Sequence, residues 1–249
     1  MIRLIITLIF VVLFLLVSLI LQPLMLLIGL FSRRARDVVS LAIVNWAFRV
    51  VLFCAGTKAT VSGEENVPKD EAVLYILNHN SYFDILLTYI RVPRPTGYVA
   101  KKEMLRFFTL TWWMKLLHCE FLDRKDLRAG MKTINDSAEK IKNGISMAIF
   151  PEGTRRRKEE EQLMLPFHGG SFKIAEKSDC KIVPVVLRGS SAIFEDHIPL
   201  LKKAHVDIQY LPPIDVGAMD REQRRDLPDI VRERMLEAYE AMIAAESEA

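Results

Sequence analysis

Apolar positions along this chain fall into two arrangements, a continuous one at the amino terminus and a broken one beyond it. Over residues 4–21, sixteen of eighteen are Leu, Ile, Val or Phe, with only Thr7 and Ser18 interrupting. Each such residue favours bilayer insertion by about 0.3–0.6 kcal/mol, so the run amounts to about 5–10 kcal/mol. At about 1.5 Å per residue it covers roughly 27 Å, close to the hydrocarbon thickness. Gln22-Pro23 then interrupts, residues 24–31 continue apolar, and Ser32-Arg33-Arg34 closes the stretch. A cleaved signal peptide has a shorter apolar region, about 7–15 residues, followed by small residues at the cut.

Residues 38–55 are apolar in a different way. Ten are Leu, Ile, Val or Phe, but Arg49 and Asn45 stand among them. The apolar gain of about 3–6 kcal/mol is nearly matched by about 2.5–3.5 kcal/mol for an arginine at depth, plus the asparagine. Asn45 and Arg49 are four apart and share a helix face. This pattern predicts a helix lying in the membrane interface. The cluster Arg33, Arg34, Arg36 favours the cytosolic side, and a second span would carry the rest of the chain across. The expected anchor is residues 1–58: an inserted segment over about 4–31, spanning or re-entrant, and an interfacial helix over about 38–55.

From residue 59 the pattern is broken into short runs. Residues 73–77, 97–100, 120–122, 145–150, 182–188 and 206–211 read as strands. Residues 86–90, 131–142 and 170–176 read as helices. This alternation predicts an α/β fold with a mixed, largely parallel sheet flanked by helices, over residues 59–249. Pro228 opens a final helix over about 228–245, with Val231, Met235, Tyr239 and Met242 on one stripe.

Composition narrows the class. Hydrophobic residues make up 51% of the 249, which excludes a disordered chain. The net charge of +3 is unevenly spread, +5 over residues 1–60 and −4 over residues 220–249, with no long basic stripe for nucleic acid. Cys54, Cys119 and Cys180 lie far apart without CxxC spacing, so a disulfide framework or cysteine zinc site is not expected and a reduced, cytosol-facing domain is.

Four short blocks sit at strand ends, where α/β sheets bind ligands. The first is Asn78-His79-Asn80-Ser81-Tyr82-Phe83-Asp84. In one continuous helix His79 and Asp84 would be about 140° apart around the axis. They can pair if the helix begins between them, and Ser81-x-x-Asp84 resembles a capping box that would start it there. A carboxylate on one ring nitrogen leaves the other as a base. On this block alone, a simple helix cap beside a loop histidine is the favoured reading. The second block, Phe121-Leu122-Asp123-Arg124-Lys125, reads as an anion site or as a solvated turn. The third is Ile149-Phe150-Pro151-Glu152-Gly153-Thr154-Arg155, where Gly153 allows close backbone approach and Arg155 can fork onto a phosphate. In the fourth, Val183-Pro184-Val185-Val186-Leu187-Arg188, a proline inside an apolar run suggests an edge strand or a strand start.

Taken together, Asn-His-x4-Asp at 78–84, Phe-Leu-Asp-Arg at 121–124, Phe-Pro-Glu-Gly-Thr-Arg at 150–155 and Val-Pro-Val at 183–185 resemble the four ordered motifs of the glycerolipid acyltransferases. Within that family the chain looks most like the bacterial 1-acyl-glycerol-3-phosphate acyltransferases, over about residues 70–190 and in the two-helix anchor. The resemblance implies acyl transfer from acyl-CoA or acyl carrier protein to the sn-2 hydroxyl of lysophosphatidate, giving phosphatidic acid. It implies His79 as general base and Asp84 as its orienting carboxylate. It assigns Glu152, Gly153, Thr154, Arg155 and Arg124 to the glycerol phosphate, with Lys101 as a further basic residue. It assigns Pro184 and Phe150 to the acyl or acceptor pocket. A membrane location follows, with the catalytic domain on the cytoplasmic face, as at a bacterial inner membrane.

A thioester donor is already activated, so no cofactor is implied. His79, Asp84 and Glu152 do not make a metal set. No G-x-S-x-G occurs, which favours direct transfer over a covalent intermediate. Backbone N–H groups near Asn80 and Ser81 are candidate oxyanion donors. The chain departs from the family pattern at Arg156, where Ser is usual, and at His168 and Gly169, where Lys is common. Another lysophospholipid or lyso-aminolipid as acceptor, and a non-catalytic lipid-binding relative, are the alternative readings.

Overall fold

The computed structural model describes residues 1–157 and 160–247. Two long helices, α1 (Ile2–Phe31) and α2 (Arg33–Ala55), precede the α/β part. Its elements follow as β1 (Lys58–Ser62), β2 (Leu74–Leu77), α3 (Phe83–Tyr89), β3 (Thr96–Lys101), α4 (Phe108–Leu116), β4 (Glu120–Leu122) and α5 (Leu127–Lys142). Then come β5 (Ser146–Ile149), α6 (Lys173–Ser178), β6 (Lys181–Arg188), β7 (His205–Tyr210), β8 (Ile214–Asp215), α7 (Arg221–Arg225) and α8 (Leu227–Ser247).

The strands form one mixed sheet in the order β1-β7-β6-β2-β5-β3-β4, with β8 pairing to β6. Strand β6 runs antiparallel to β7 and β8, and every other pair is parallel. Alternate residues of β2 feed two separate cores. Tyr75 and Leu77 pack with Leu87 and Trp113 on one face. Leu74 and Ile76 pack with Phe172 and with Val231 and Met235 of α8 on the other. Both faces are covered, so the central strands are apolar throughout rather than alternating. From β2 the chain crosses past β5 to β3, while from β5 it crosses past β2 to β6. These adjacent connections therefore leave in opposite directions and open a crevice at the carboxyl ends of β2 and β5.

The proline of β6 does not mark an edge. Strand β6 is interior, flanked by β2 on one side and by β7 and β8 on the other. Its pairing with β7 covers residues 185–188 and that with β8 covers residues 181–182, so Pro184 falls in the gap between them. No ladder N–H is needed there, which is why proline is tolerated inside the sheet.

Helix α1 continues through Pro23, across the break in the apolar run at Gln22-Pro23. One proline removes a single backbone bond, and in apolar surroundings the remaining bonds hold the helix. Helix α2 starts five residues before the apolar run, because the Ser32 hydroxyl accepts from Ala35 N–H at 3.1 Å and caps it. Ile9, Leu13, Leu16, Ile20, Leu27 and Phe31 of α1 are bare on its outer side. Both helices are long and apolar enough to cross a membrane. Yet both are also bonded to the α/β part. Trp113 Nε1 donates to Ser18 Oγ at 2.8 Å, and Gln22 Nε2 donates to the Thr109 carbonyl at 2.7 Å. Asp37 pairs with His118 at 2.9 Å, and Arg49 donates to the Ile90 carbonyl at 3.2 Å. Helix α4, which sequence periodicity does not reveal, is the element that receives α1.

Candidate active site

The site starts where β2 ends. The Asn78 side chain extends the β2–β6 ladder by one residue: its amide donates to the Leu187 carbonyl at 2.9 Å and its oxygen accepts from Leu187 N–H at 2.8 Å. His79 is then gripped at both backbone groups by the loop after β5. Its N–H donates to Glu152 Oε1 at 2.7 Å, and its carbonyl accepts from Arg156 N–H at 2.8 Å. Ser81 Oγ accepts from Phe83 N–H at 3.0 Å, while Asp84 reaches back to Ser81 N–H at 2.7 Å. Helix α3 begins at Phe83 with Tyr82 as its N-cap and no side-chain cap bond, so the capping box expected at Ser81 is not formed. The Ser81 and Asp84 side chains instead brace the turn between His79 and the helix.

That start turns Asp84 onto the imidazole. Asp84 Oδ2 accepts from His79 Nδ1 at 2.9 Å, and also from the backbone N–H groups of Asn80 and Ser81 at 2.7 Å each. A carboxylate only accepts, so Nδ1 carries the ring proton and Nε2 is left with a lone pair. Asp84 is wholly buried, whereas the His79 side chain is 16% exposed. The Phe150 ring stacks on the imidazole at 4.0 Å between centroids and 20° between planes, which fixes its tilt. The amides of Asn80 and Ser81 are thus already engaged by Asp84, and the expectation that they supply an oxyanion hole is corrected.

The residues of the third block separate into different roles. Glu152 is buried, with one oxygen on His79 N–H and the other on Leu165 N–H at 2.9 Å. Both of its oxygens brace backbone N–H groups. Burial pushes its pKa up to about 7; the nearby Asp84 charge adds to this and the two backbone donors oppose it. Gly153 adopts φ +71° and lies against Arg124, whose Nη1 would stand 3.1 Å from a Cβ placed there. This contact joins the second and third blocks into one cationic corner. Thr154 is exposed beside it. Arg155 pairs with Glu195 at 3.1 Å, and its guanidinium carbon lies 3.5 Å from the Tyr82 ring centroid.

Lys101 ends β3 opposite Leu122 of β4, two residues before Arg124, and is exposed. Its neighbour Lys102 is the residue that pairs with Asp123. Pro184 is buried in mid-sheet opposite Ile76 and lines the β6 ladder rather than an open face. Among the described residues, no three of His, Cys, Asp and Glu converge into a metal-binding group. Glu195 and Tyr82 escaped notice at the level of sequence. Glu195 lies 40 residues from its partner Arg155, in no local pattern that marks it.

A histidine held by a buried carboxylate at the carboxyl end of β2, in a mostly parallel sheet preceded by two helices long and apolar enough to cross a membrane, defines the class of α/β domain. The family described as Acyltransferase matches residues 58–188, and the chain belongs to that family. It is 30% identical over 191 residues to the 1-acyl-sn-glycerol-3-phosphate acyltransferase of Saccharomyces cerevisiae, covering 76% of this chain and 62% of that one. It is 29% identical over 203 residues to the protein of the same description from Borreliella burgdorferi, covering 82% of this chain and 80% of that one. The chain thus spans less than two-thirds of the yeast relative's length. The solved structure of the 1-acyl-sn-glycerophosphate (LPA) acyltransferase PlsC from Thermotoga maritima shares the fold, with a TM-score of 0.75 at 22% identity, over 96% of this chain and 98% of that one.

Proposed function

We propose that the protein transfers an acyl group from a thioester, acyl-CoA or acyl carrier protein, to the sn-2 hydroxyl of 1-acyl-glycerol-3-phosphate. The observation that carries this reading is the His79 Nδ1–Asp84 Oδ2 contact of 2.9 Å, which leaves Nε2 as the ring nitrogen not held by the carboxylate. Nε2 takes the hydroxyl proton as the oxygen attacks the thioester carbonyl. The tetrahedral intermediate collapses by breaking the C–S bond, and the imidazolium returns the proton to the departing thiolate. The products are an ester and a free thiol, with no net change at His79. General base help of this kind supplies about 10²–10⁴-fold. Arg124 and Arg155 hold the acceptor's phosphate and so bring its one free hydroxyl to Nε2. The names of the relatives support lysophosphatidate as acceptor.

The anchor serves the same chemistry, since acceptor and product are both lipids. Helix α1 offers its bare outer side to the bilayer while α2 stays docked on the catalytic domain through Asp37 and Arg49. This favours a hairpin entering from one face, with Arg33, Arg34 and Arg36 keeping the domain cytoplasmic. Release of free thiol from acyl-CoA by the purified protein, with lysophosphatidate and other lysolipids in turn, tests the proposal. Thiol release that depends on lysophosphatidate and disappears in His79→Ala is expected. Turnover retained in His79→Ala, or preference for another acceptor, would overturn it.

A further inference from the structure

Glu195 belongs to none of the four motifs, yet it touches both halves of the site. One carboxylate oxygen accepts from the Ser81 hydroxyl at 2.6 Å. The other accepts from Tyr82 N–H at 2.8 Å and from Arg155 Nη1 at 3.1 Å. The carboxylate is mostly buried, and the segment that carries it is fixed. Ser190 and Ile193 are fully buried, and Lys202 N–H donates to the Ile193 carbonyl at 3.0 Å. Gly189 turns with φ +83° so close to the His205 carbonyl that a Cβ would stand 2.7 Å from it. Glu195 is therefore held in place by the fold, unlike a surface acid that can swing away.

We propose that Glu195 is a positioning residue. It holds Arg155 in the orientation that meets the acceptor's phosphate and, through Ser81 and Tyr82, locks that cation to the helix start that carries Asp84. This rests on the acyl transfer reading given above. Among the described residues, Arg155 meets only Glu195 and the Tyr82 ring, so the rest of its fork remains available to an anion. A fork already oriented loses less freedom when phosphate arrives. Glu195 also cancels part of the arginine's charge, so its removal has two opposing effects. Orientation outweighs charge here, because the same carboxylate fixes both the cation and the ring beneath it.

Glu195→Ala and Glu195→Gln in the full chain, in detergent micelles, test this. In Glu195→Ala the KM for lysophosphatidate rises about 10- to 100-fold while the KM for acyl-CoA is unchanged, in line with the sensitivity of such sites to misplacement. Glu195→Gln, which keeps an accepting oxygen, recovers most of the loss. A lower or unchanged acceptor KM in Glu195→Ala refutes the proposal, as does a parallel change in both KM values with a lowered unfolding temperature. A second measurement does not need turnover. The His79→Ala protein is titrated with lysophosphatidate and with a monoacylglycerol of the same chain, and the preference for the phosphate-bearing lipid shrinks when Glu195→Ala is added. If the preference is present and shrinks but the native protein transfers no acyl group, the transfer reading fails and this inference stands. If the preference is absent, or survives Glu195→Ala, this inference fails.

Discussion

Asp84→Asn separates charge from shape at the centre of the site. Asp84 Oδ2 receives three donors, His79 Nδ1 at 2.9 Å and the Asn80 and Ser81 N–H groups at 2.7 Å. An asparagine keeps its oxygen at that position, because the flipped amide would aim N–H bonds at two backbone donors. The ring tautomer is therefore preserved. The new NH2 group occupies the place of Oδ1, which is buried without a partner, at a cost of about 1–3 kcal/mol in stability. What the substitution removes is a negative charge beside a ring that becomes an imidazolium in the proposed reaction. Two unit charges at this separation are worth about 6 kcal/mol at an effective dielectric constant of about 20, and a charged hydrogen bond at least about 1.5–3 kcal/mol. At roughly 1.36 kcal/mol per decade, a loss of about 3–6 kcal/mol lowers kcat/KM by about 10²–10⁴-fold. Thiol release as a function of lysophosphatidate concentration measures kcat/KM, and thermal unfolding in detergent measures the fold. Activity within tenfold of the native protein, with unchanged unfolding temperature, would refute the reasoning.

The remaining predictions concern the supports of the site. Glu152 rises from an ordinary 4.5 to about 7 in the fold. Its protonated form is thus favoured by folding, so this contribution is full below pH 4.5 and is lost as pH rises through about 7, a change of about 3 kcal/mol. Stability-against-pH curves of the native protein and Glu152→Gln should diverge over that window, and parallel curves would refute the assignment. Gly153→Ala places a Cβ 3.1 Å from Arg124 at φ +71°. Left-handed strain of about 1–2 kcal/mol and a displaced arginine should raise the lysophosphatidate KM; an unchanged KM and stability would count against the cationic corner. Ser18→Ala removes the acceptor of the buried Trp113 Nε1 and should lower stability by about 1–3 kcal/mol. An unchanged unfolding temperature would show that this bond does not hold the anchor to the domain.

Local order was readable from residue order because it depends on near neighbours. The apolar run over 4–21 declared a helix for lipid, and the β-rich runs declared the strands from β2 to β7. A helix start between His79 and Asp84, which lets His79 fold back, was readable to within a residue, since it needs only bonds within seven residues. Strand β1 and helix α4 left no comparable trace, since Lys58–Ser62 is a short edge strand and α4 owes its place to Ser18 and Gln22, about 90 residues away.

Distant pairings were decided by the sheet. The crevice exists because β2 and β5 lie side by side and their connections part, an arrangement that no spacing along the chain encodes. That neighbourhood turned Glu152 inward onto His79 N–H, a contact 73 residues apart that no local pattern marks. It also made Pro184 an interior residue, because the break between β7 and β8 falls opposite its missing N–H. The physical reason is common to these cases. Helical and turn preferences are set by bonds a few residues apart, whereas desolvation of a carboxylate and the choice of its partner depend on what packs around it.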